Sequence, residues 1–330
     1  MKLLFAFISV VMLAIIPSIG IGYAGMQYVF GVVVPYVAVA VFVAGFAYRV
    51  LNWAKSPVPF RIPTTCGQEK SLPWIRQNKL DNPSGTPGVV GRMALEILFF
   101  RSLFRNTRTE LRKGPMLAYG SSGWLWLAAI TFHWSFLVIL VRHFRLFSQP
   151  VPPFVNVLEG LDGFLQIGVP TLYITDILLL AALLYLFIRR VAIPQVRYVS
   201  LVSDYFTLFL IFGIGLTGVL MRYFYRVNVV GVKELAMGLI ALRPVVPSGI
   251  GGLFFVHLFL ISSLFAYFPF SKLMHMGGVF LSPTRNLANN NRMKRHINPW
   301  NYPVHVHTYA EYEDEFRDKM KAAGIPVEKE

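Results

Sequence analysis

One cysteine, Cys66, stands in a chain of 330 residues. That excludes a disulfide framework. It also excludes an iron–sulfur cluster held by this chain alone, which takes about four thiolates. An isolated cysteine with no partner reads as structural before it reads as a redox thiol. Charge is scarce as well: 14% of residues are charged, where a soluble domain carries about 25%. Acidic residues are the scarcer sign, 16 against 31 basic, for a net charge of +15. What fills the chain is apolar, 55% of residues with a mean hydropathy of +0.55. The basic excess is therefore assigned to Lys and Arg on the cytoplasmic side of a membrane rather than to a nucleic-acid surface.

A spanning helix needs roughly 20 apolar residues. Six segments qualify, at about 3–24, 28–51, 118–143, 164–189, 198–222 and 250–271, the last extending toward His275. Runs of this length span lipid only as helices, because lipid offers the backbone no hydrogen-bond partners. The first segment, with Lys2 ahead of it and small residues near Ala24, has some signal-peptide features. Its apolar run exceeds the usual signal core of roughly 7–15 residues, so it is expected to be a retained helix. Sidedness follows from the basic residues. Alternating the six segments places 25 of the 31 Lys and Arg on one side. Both termini and the long loop after the second segment are thus expected to be cytoplasmic. The expected organisation is all-α and polytopic. Residues 1–51 hold two N-terminal helices, 52–117 a cytoplasmic loop, 118–275 a four- to five-helix bundle core and 276–330 a cytoplasmic tail.

Four histidines lie in the apolar part: His133 and His143, ten apart, and His257 and His275, eighteen apart. An ionisable residue inside a membrane segment is a functional-site candidate by default. The third and sixth segments run antiparallel, so His133 meets His275 at the inner end and His143 meets His257 at the outer end. A rise of about 1.5 Å per residue separates the first two by roughly 15 Å and the second two by roughly 27 Å. Tilted helices and the width of an imidazole–iron–imidazole unit absorb the difference. Eighteen residues make five full turns, which puts His257 and His275 on one face of a continuous helix. The arrangement suits four axial ligands of two haems b, with hydrogen-bonded packing histidines as the plain alternative. Gly213, Gly215 and Gly218 in the fifth segment suit either a flat macrocycle or close helix packing.

On these residues the chain resembles the haem b gamma subunits of respiratory nitrate reductases, over roughly residues 28–275, with an extra first helix. The loop PVPFRIPTTCGQEKSLPWIRQNKLDNPSGTPG, followed by GRMALEILFFRSLFRNTR, is similar to the cytochrome b subunits of the Dsr sulfur-metabolism complex, the DsrM family. The resemblance implies two haems b and exchange of electrons with menaquinone. It also implies a cytoplasmic DsrK-like iron–sulfur partner, related to heterodisulfide reductase, within a complex holding further membrane, cytochrome c and iron–sulfur subunits. Such a chain resides in a prokaryotic cytoplasmic membrane.

Arg101, Arg105, Arg108 and Arg112 recur at helical spacing, opposite Met93, Ile97, Phe100, Phe104 and Leu111. This predicts a basic amphipathic helix on the cytoplasmic leaflet or a docking surface for the partner. Asp176 is the carboxylate placed deepest in a segment. It is a candidate relay for quinol protons, with a hydrogen bond to Arg142 as the alternative. Glu159 and Asp162, in the outer loop, are weaker candidates. Arg142, Arg145 and Arg222 at the outer end and Lys272 at the inner end suit haem propionates or lipid headgroups. Asp204 is expected to pair with Arg197 or a tyrosine. His305 and His307, with His296 ahead of them, give a weak metal signal. The EYEDEFRDKMKAAG tail is a charged helix suited to a soluble partner.

Overall fold

The computed structural model describes residues 1–56, 67–114, 116–282, 284–293 and 305–329. Cys66 and His296 lie outside them. Helix α1 spans Lys2–Ala24, and α2 spans Val34–Ala54 after a π-helical turn at Val29–Val33. The loop holds α3 (Thr86–Phe99) and α4 (Arg101–Phe104), then a hairpin of β1 (Thr107–Arg112) and β2 (Met116–Ser121). Next come α5 (Gly123–Arg142), α6 (Pro153–Asp162), α7 (Ile174–Ala192) and α8 (Pro194–Val199). Helix α9 (Val202–Val219) runs into a π-helical turn, Leu220–Phe224, and is followed by α10 (Val229–Ile240). Helices α11 (Gly252–Tyr267), α12 (His275–Leu281) and α13 (Tyr309–Ala322) complete the chain.

Among the described residues, five helical stretches are long and apolar enough to cross a membrane: Lys2–Ala24, Val29–Ala54, Gly123–Leu146, Val202–Phe224 and Gly252–Phe270. The chain is a mostly helical integral membrane protein, and the fourth of the six expected segments is not among these five. The difference lies at 164–189. There the helix begins only at Ile174, and its 19 residues include Asp176, Arg189 and Arg190. Helix α7 nevertheless belongs to the bundle. Its Leu179 and Leu183 share a buried cluster with Val10 of α1, Leu210 and Ile211 of α9, and Val256 and Leu260 of α11. Burial of these side chains leaves the outer faces apolar, with Phe5, Ile16, Val43 and Leu140 among many exposed large hydrophobic residues. Such a surface is stable in lipid and a liability in water.

The chain is not wholly α-helical, and the predicted basic helix is interrupted. Helix α3 stops at Phe100, which is left-handed at φ 50° and ψ 47°. After it, TRTELR alternates with β-branched Thr107 and Thr109 and pairs antiparallel with 116–121, Thr107 opposite Ser121 and Arg112 opposite Met116. Period-2 patterning beside the left-handed Gly114 wins over the four-residue arginine spacing. Arg108 and Arg112 therefore stand on a strand, not on the face carrying Arg101.

His257 and His275 do not share a helix. Pro269 lacks the N–H that would continue α11, and the chain passes through a 3₁₀ turn to an extended Ser271. The Ser271 hydroxyl then caps the next turn by accepting from the Leu273 N–H at 3.1 Å, and His275 opens α12. Five full turns of one helix therefore do not separate the two rings.

The loop and tail form one polar cap. Buried Arg92 donates to the carbonyl of Asp81 at 3.2 Å, to that of Leu287 at 3.0 Å, and to that of Arg285. The Asn289 N–H donates to Pro83 O at 2.7 Å, and its amide donates to Asn82 at 2.6 Å. Asp81 is held by Arg101 and by Arg105, the latter at 2.6 Å. Burial pushes the Asp81 carboxyl up, but hydrogen bonds and charge from the two arginines outweigh it, so the group sits below its ordinary value. Asp204 pairs with Lys272 at 2.8 Å and Arg190 at 3.5 Å, not with Arg197.

Candidate functional site: two histidine pairs and a charged cluster

Helix α5 supplies His133 from its interior and His143 from its C-cap. Helix α11 supplies His257, and the break at Ser271 brings His275 to the other end. The His133 and His275 rings have centroids 6.0 Å apart and planes at 84°. Two metal–nitrogen bonds of about 2.0–2.1 Å, with about 1.1 Å from each nitrogen to its ring centre, require roughly 6.3 Å. At the opposite end His143 lies close enough to act electrostatically on His257.

The second nitrogen of each ring is also accounted for. His133 Nδ1 donates to Ala129 O at 2.7 Å, His143 Nδ1 to Ile139 O at 2.7 Å, and His275 Nδ1 to Lys272 O at 2.8 Å. His257 Nδ1 lies 2.8 Å from the Thr217 hydroxyl. That hydroxyl in turn donates to Gly213 O at 2.8 Å, so it accepts from the ring. A nitrogen bonded to a carbonyl must carry the proton, which leaves Nε2 as the lone-pair nitrogen in all four rings. Metal-bound histidines carry this same second contact.

The packing agrees with a group held between the helices. Helix α5 packs on α7, and α11 on α1, α2 and α9, without an equally close backbone interface between α5 and α11. A Cβ on Gly218 would meet His257 Cε1 at 3.5 Å, whereas one on Gly215 would press on Leu180 and Leu179 at 3.1 and 3.2 Å. Of the three glycines, Gly218 borders a candidate ligand, Gly215 serves helix packing, and Gly213 faces Leu260 and Val10 at ordinary contact.

Beside the His143/His257 end, four charges form a balanced cluster. Arg142, flanking His143, pairs with Asp162 at 3.2 Å and with Asp176 at 2.5 Å. Asp162 also accepts from the Thr175 N–H at 2.9 Å and hydroxyl at 2.6 Å. The Tyr223 hydroxyl donates to Asp176 Oδ2 at 2.8 Å and accepts from the Tyr173 N–H at 3.0 Å. The Tyr173 ring lies between two guanidiniums, Arg142 at 3.9 Å and Arg222 at 4.0 Å. Arg222 further donates to Thr171 O at 3.0 Å. Asp176 and Tyr223 open onto an apolar groove of about 270 Å³, walled by Leu172, Ile177, Leu180, Val219 and Phe224.

The structure thus gathers Arg142, Asp162, Asp176 and Arg222 into one cluster. Arg145 pairs with Glu159 at 2.8 Å, and Lys272 stands apart, on Asp204. Tyr173, Tyr223 and Thr175 were missed by the sequence reading. Only the aromatic residue three before Asp176 hinted at the first of them. His305 and His307 are neighbours, 4.5 Å between ring centres, and among the described residues no cluster of three or more metal-ligating side chains surrounds them.

A bundle of membrane-length helices with paired histidines on facing elements defines a class. The chain belongs to the nitrate reductase gamma subunit family, whose sequence profile matches residues 104–295. Among individual proteins it is similar to an Hdr-like menaquinol oxidoreductase cytochrome b-like subunit of Archaeoglobus fulgidus. The two are 47% identical over 279 residues, covering 82% of this chain and 83% of the relative. The counterpart of the same description in Archaeoglobus profundus is 42% identical over 273 residues, covering 81% of each.

Proposed function

We propose that this chain is the di-haem b membrane subunit of a menaquinol oxidoreductase. It exchanges electrons between the menaquinone pool and a cytoplasmic iron–sulfur partner of the heterodisulfide reductase-like, DsrK-like class, in dissimilatory sulfur metabolism. The observation that carries the reading is the set of four imidazoles, each with Nδ1 engaged, together with the 6.0 Å spacing of His133 and His275. His133 with His275, and His143 with His257, are the residues that would hold haem. Haem b, when bound, supplies a one-electron iron couple. The names of the two relatives support menaquinol as substrate and an Hdr-like assembly. Their coverage of more than four-fifths of the chain favours this reading over a nitrate reductase gamma subunit, which the loop and extra helix also disfavour.

In this reading α7 is a sixth, shorter span, both termini face the cytoplasm, and the cap of 67–106 with 285–293 meets the partner. Quinol oxidation belongs at the His143/His257 end, where each quinol releases two electrons and two protons. Asp176 is the first proton acceptor, because it faces the apolar groove and is held by Tyr223. Asp162, sharing Arg142 with it, and Glu159 on the same helix α6 follow as later acceptors. Of the cations expected at propionates, Arg145 and Lys272 keep exposed donors, while Arg142 and Arg222 are committed to the charged cluster.

The test is a reduced-minus-oxidised spectrum of the purified complex with haem quantified per chain. Two low-spin b haems are expected, with one lost when His143 or His257 is replaced by alanine. A colourless preparation from haem-sufficient cells refutes the reading in favour of a haem-free anchor. The identity of the co-purifying soluble subunit separates an Hdr-like complex from a nitrate reductase.

A further inference from the structure

The inner pair is not held by hydrogen bonds alone. The carboxyl end of α3 lies against α5 beside His133, where two indoles fix it. Trp126 Nε1 donates to Phe99 O at 2.7 Å, and Trp134 Nε1 donates to Leu98 O at 3.1 Å. Helix α3 ends at just these residues, so its last carbonyls lack partners from a following turn. The indoles supply them, and both indoles come from the helix that carries His133.

Between the strapped carbonyls and α4 stands Phe100, in the left-handed region at φ 50°. A residue with a Cβ enters that region at a cost, and a bulky one held there by surrounding structure is a pointer to function. Its ring meets the His133 ring edge to face, centroids 4.9 Å apart at 85°. Phe132 meets the same imidazole at 4.8 Å and 77°. With Nδ1 tied to Ala129 O, the His133 ring is thus held by one hydrogen bond and two crosswise aromatic rings. The ring it faces, His275, lies at 84° to it.

We propose that Phe100 is a positioning residue for the inner redox site. The cytoplasmic loop, through a strained backbone position, sets the plane of the His133 imidazole crosswise to that of His275. The inference rests on the haem reading of the four histidines. It goes beyond that reading in assigning a role to a loop residue that contacts neither iron nor substrate. Perpendicular axial imidazoles give a low-spin ferric haem a strongly anisotropic electron paramagnetic resonance signal, and parallel ones a less anisotropic signal. The ring orientation is therefore directly readable, apart from turnover.

The experiment compares that signal in the intact complex, oxidised in its membranes, for wild type, Phe100→Gly, Phe100→Leu and Phe100→Tyr. The inner signal is assigned as the one lost when His275 is replaced. Glycine keeps the left-handed turn and removes the ring. Leucine keeps much of the apolar volume, so it reads the aromatic contact even where the glycine variant fails to assemble. The expected result is an inner signal moved toward lower anisotropy in the glycine and leucine variants, an unmoved outer signal, and a wild-type spectrum in the tyrosine variant. An inner signal that stays put in either the glycine or the leucine variant overturns the proposal. So does an equal shift of both signals, or a tyrosine variant that behaves like leucine. A wild-type complex without low-spin haem fails the haem reading itself, a different outcome from two intact signals indifferent to Phe100.

Discussion

Replacing Arg142 with glutamine strands two carboxylates at once. The guanidinium is buried, 9% exposed at its side chain, and it faces Asp162 and Asp176, themselves 2% and 13% exposed. Removing one member of a buried ion pair costs about 3–5 kcal/mol, because the remaining charge stays desolvated. The stacking on Tyr173 at 3.9 Å is lost as well, a contribution of about 0.5–2 kcal/mol. Each carboxylate keeps some compensation, Asp162 from Thr175 and Asp176 from Tyr223. The total therefore stays near the paired value rather than doubling it. Asp176→Asn is a milder change. Arg142 retains Asp162, Tyr223 retains an acceptor, and the loss is one charge-assisted contact of about 1.5–3 kcal/mol. In the double variant Arg142→Gln/Asp176→Asn only Asp162 is left unpaired, so part of the first loss returns. The readout is the half-life of the folded complex at one temperature in one detergent, suited to an assembly that unfolds irreversibly. The expected order of stability is wild type, then Asp176→Asn, then the double variant, then Arg142→Gln. An Arg142→Gln complex as durable as Asp176→Asn, or a double variant no better than Arg142→Gln, refutes the charge-balance argument.

Tyr223→Phe removes the donor to Asp176 at the groove. Quinol turnover should fall by about ten- to a hundredfold, in line with a hydrogen bond to a charged group of about 1.5–3 kcal/mol, while haem content stays constant in the same preparation. Gly45→Ala places a Cβ 2.8 Å from Pro269 Cβ. The overpacking should cost about 1–3 kcal/mol and, in the di-haem reading, disturb the signal of the His275 end before that of the His257 end. Cap stability should depend on pH through Asp81. Its folded value lies below the ordinary 3.8, so the stabilisation is complete above that value and is lost as pH falls through the depressed one. Hydrogen exchange across residues 67–106 should speed up in acid in wild type, and Asp81→Asn should show fast exchange at neutral pH already.

The apolar runs, the membrane class and the four histidines were legible in the sequence, because lipid permits so few spanning structures that length and hydropathy nearly decide the matter. The antiparallel logic also brought His133 to His275, although the continuous helix assumed between His257 and His275 was wrong. Pro269 and Ser271 break it, so the separation of the two rings is not the rise of one helix. Asp176 and its alternative partner Arg142 were visible together, since a deep carboxylate in an apolar segment demands a cation nearby. The sandwich of Tyr173 between Arg142 and Arg222, and the Tyr223 bond to Asp176, were not. They join α5, α7 and the π-helical end of α9, and no local spacing records which tyrosine faces which carboxylate. The same holds for Phe100. In the sequence it reads as one apolar position of an amphipathic helix. Its left-handed backbone and its contact with His133 arise only when two tryptophans of α5 take up the last carbonyls of α3. Periodicity and solvent preference are properties of a segment and can be read from it. Ring planes, ion-pair partners and strained turns are decided between segments, by which surfaces the packed bundle brings within a few ångströms.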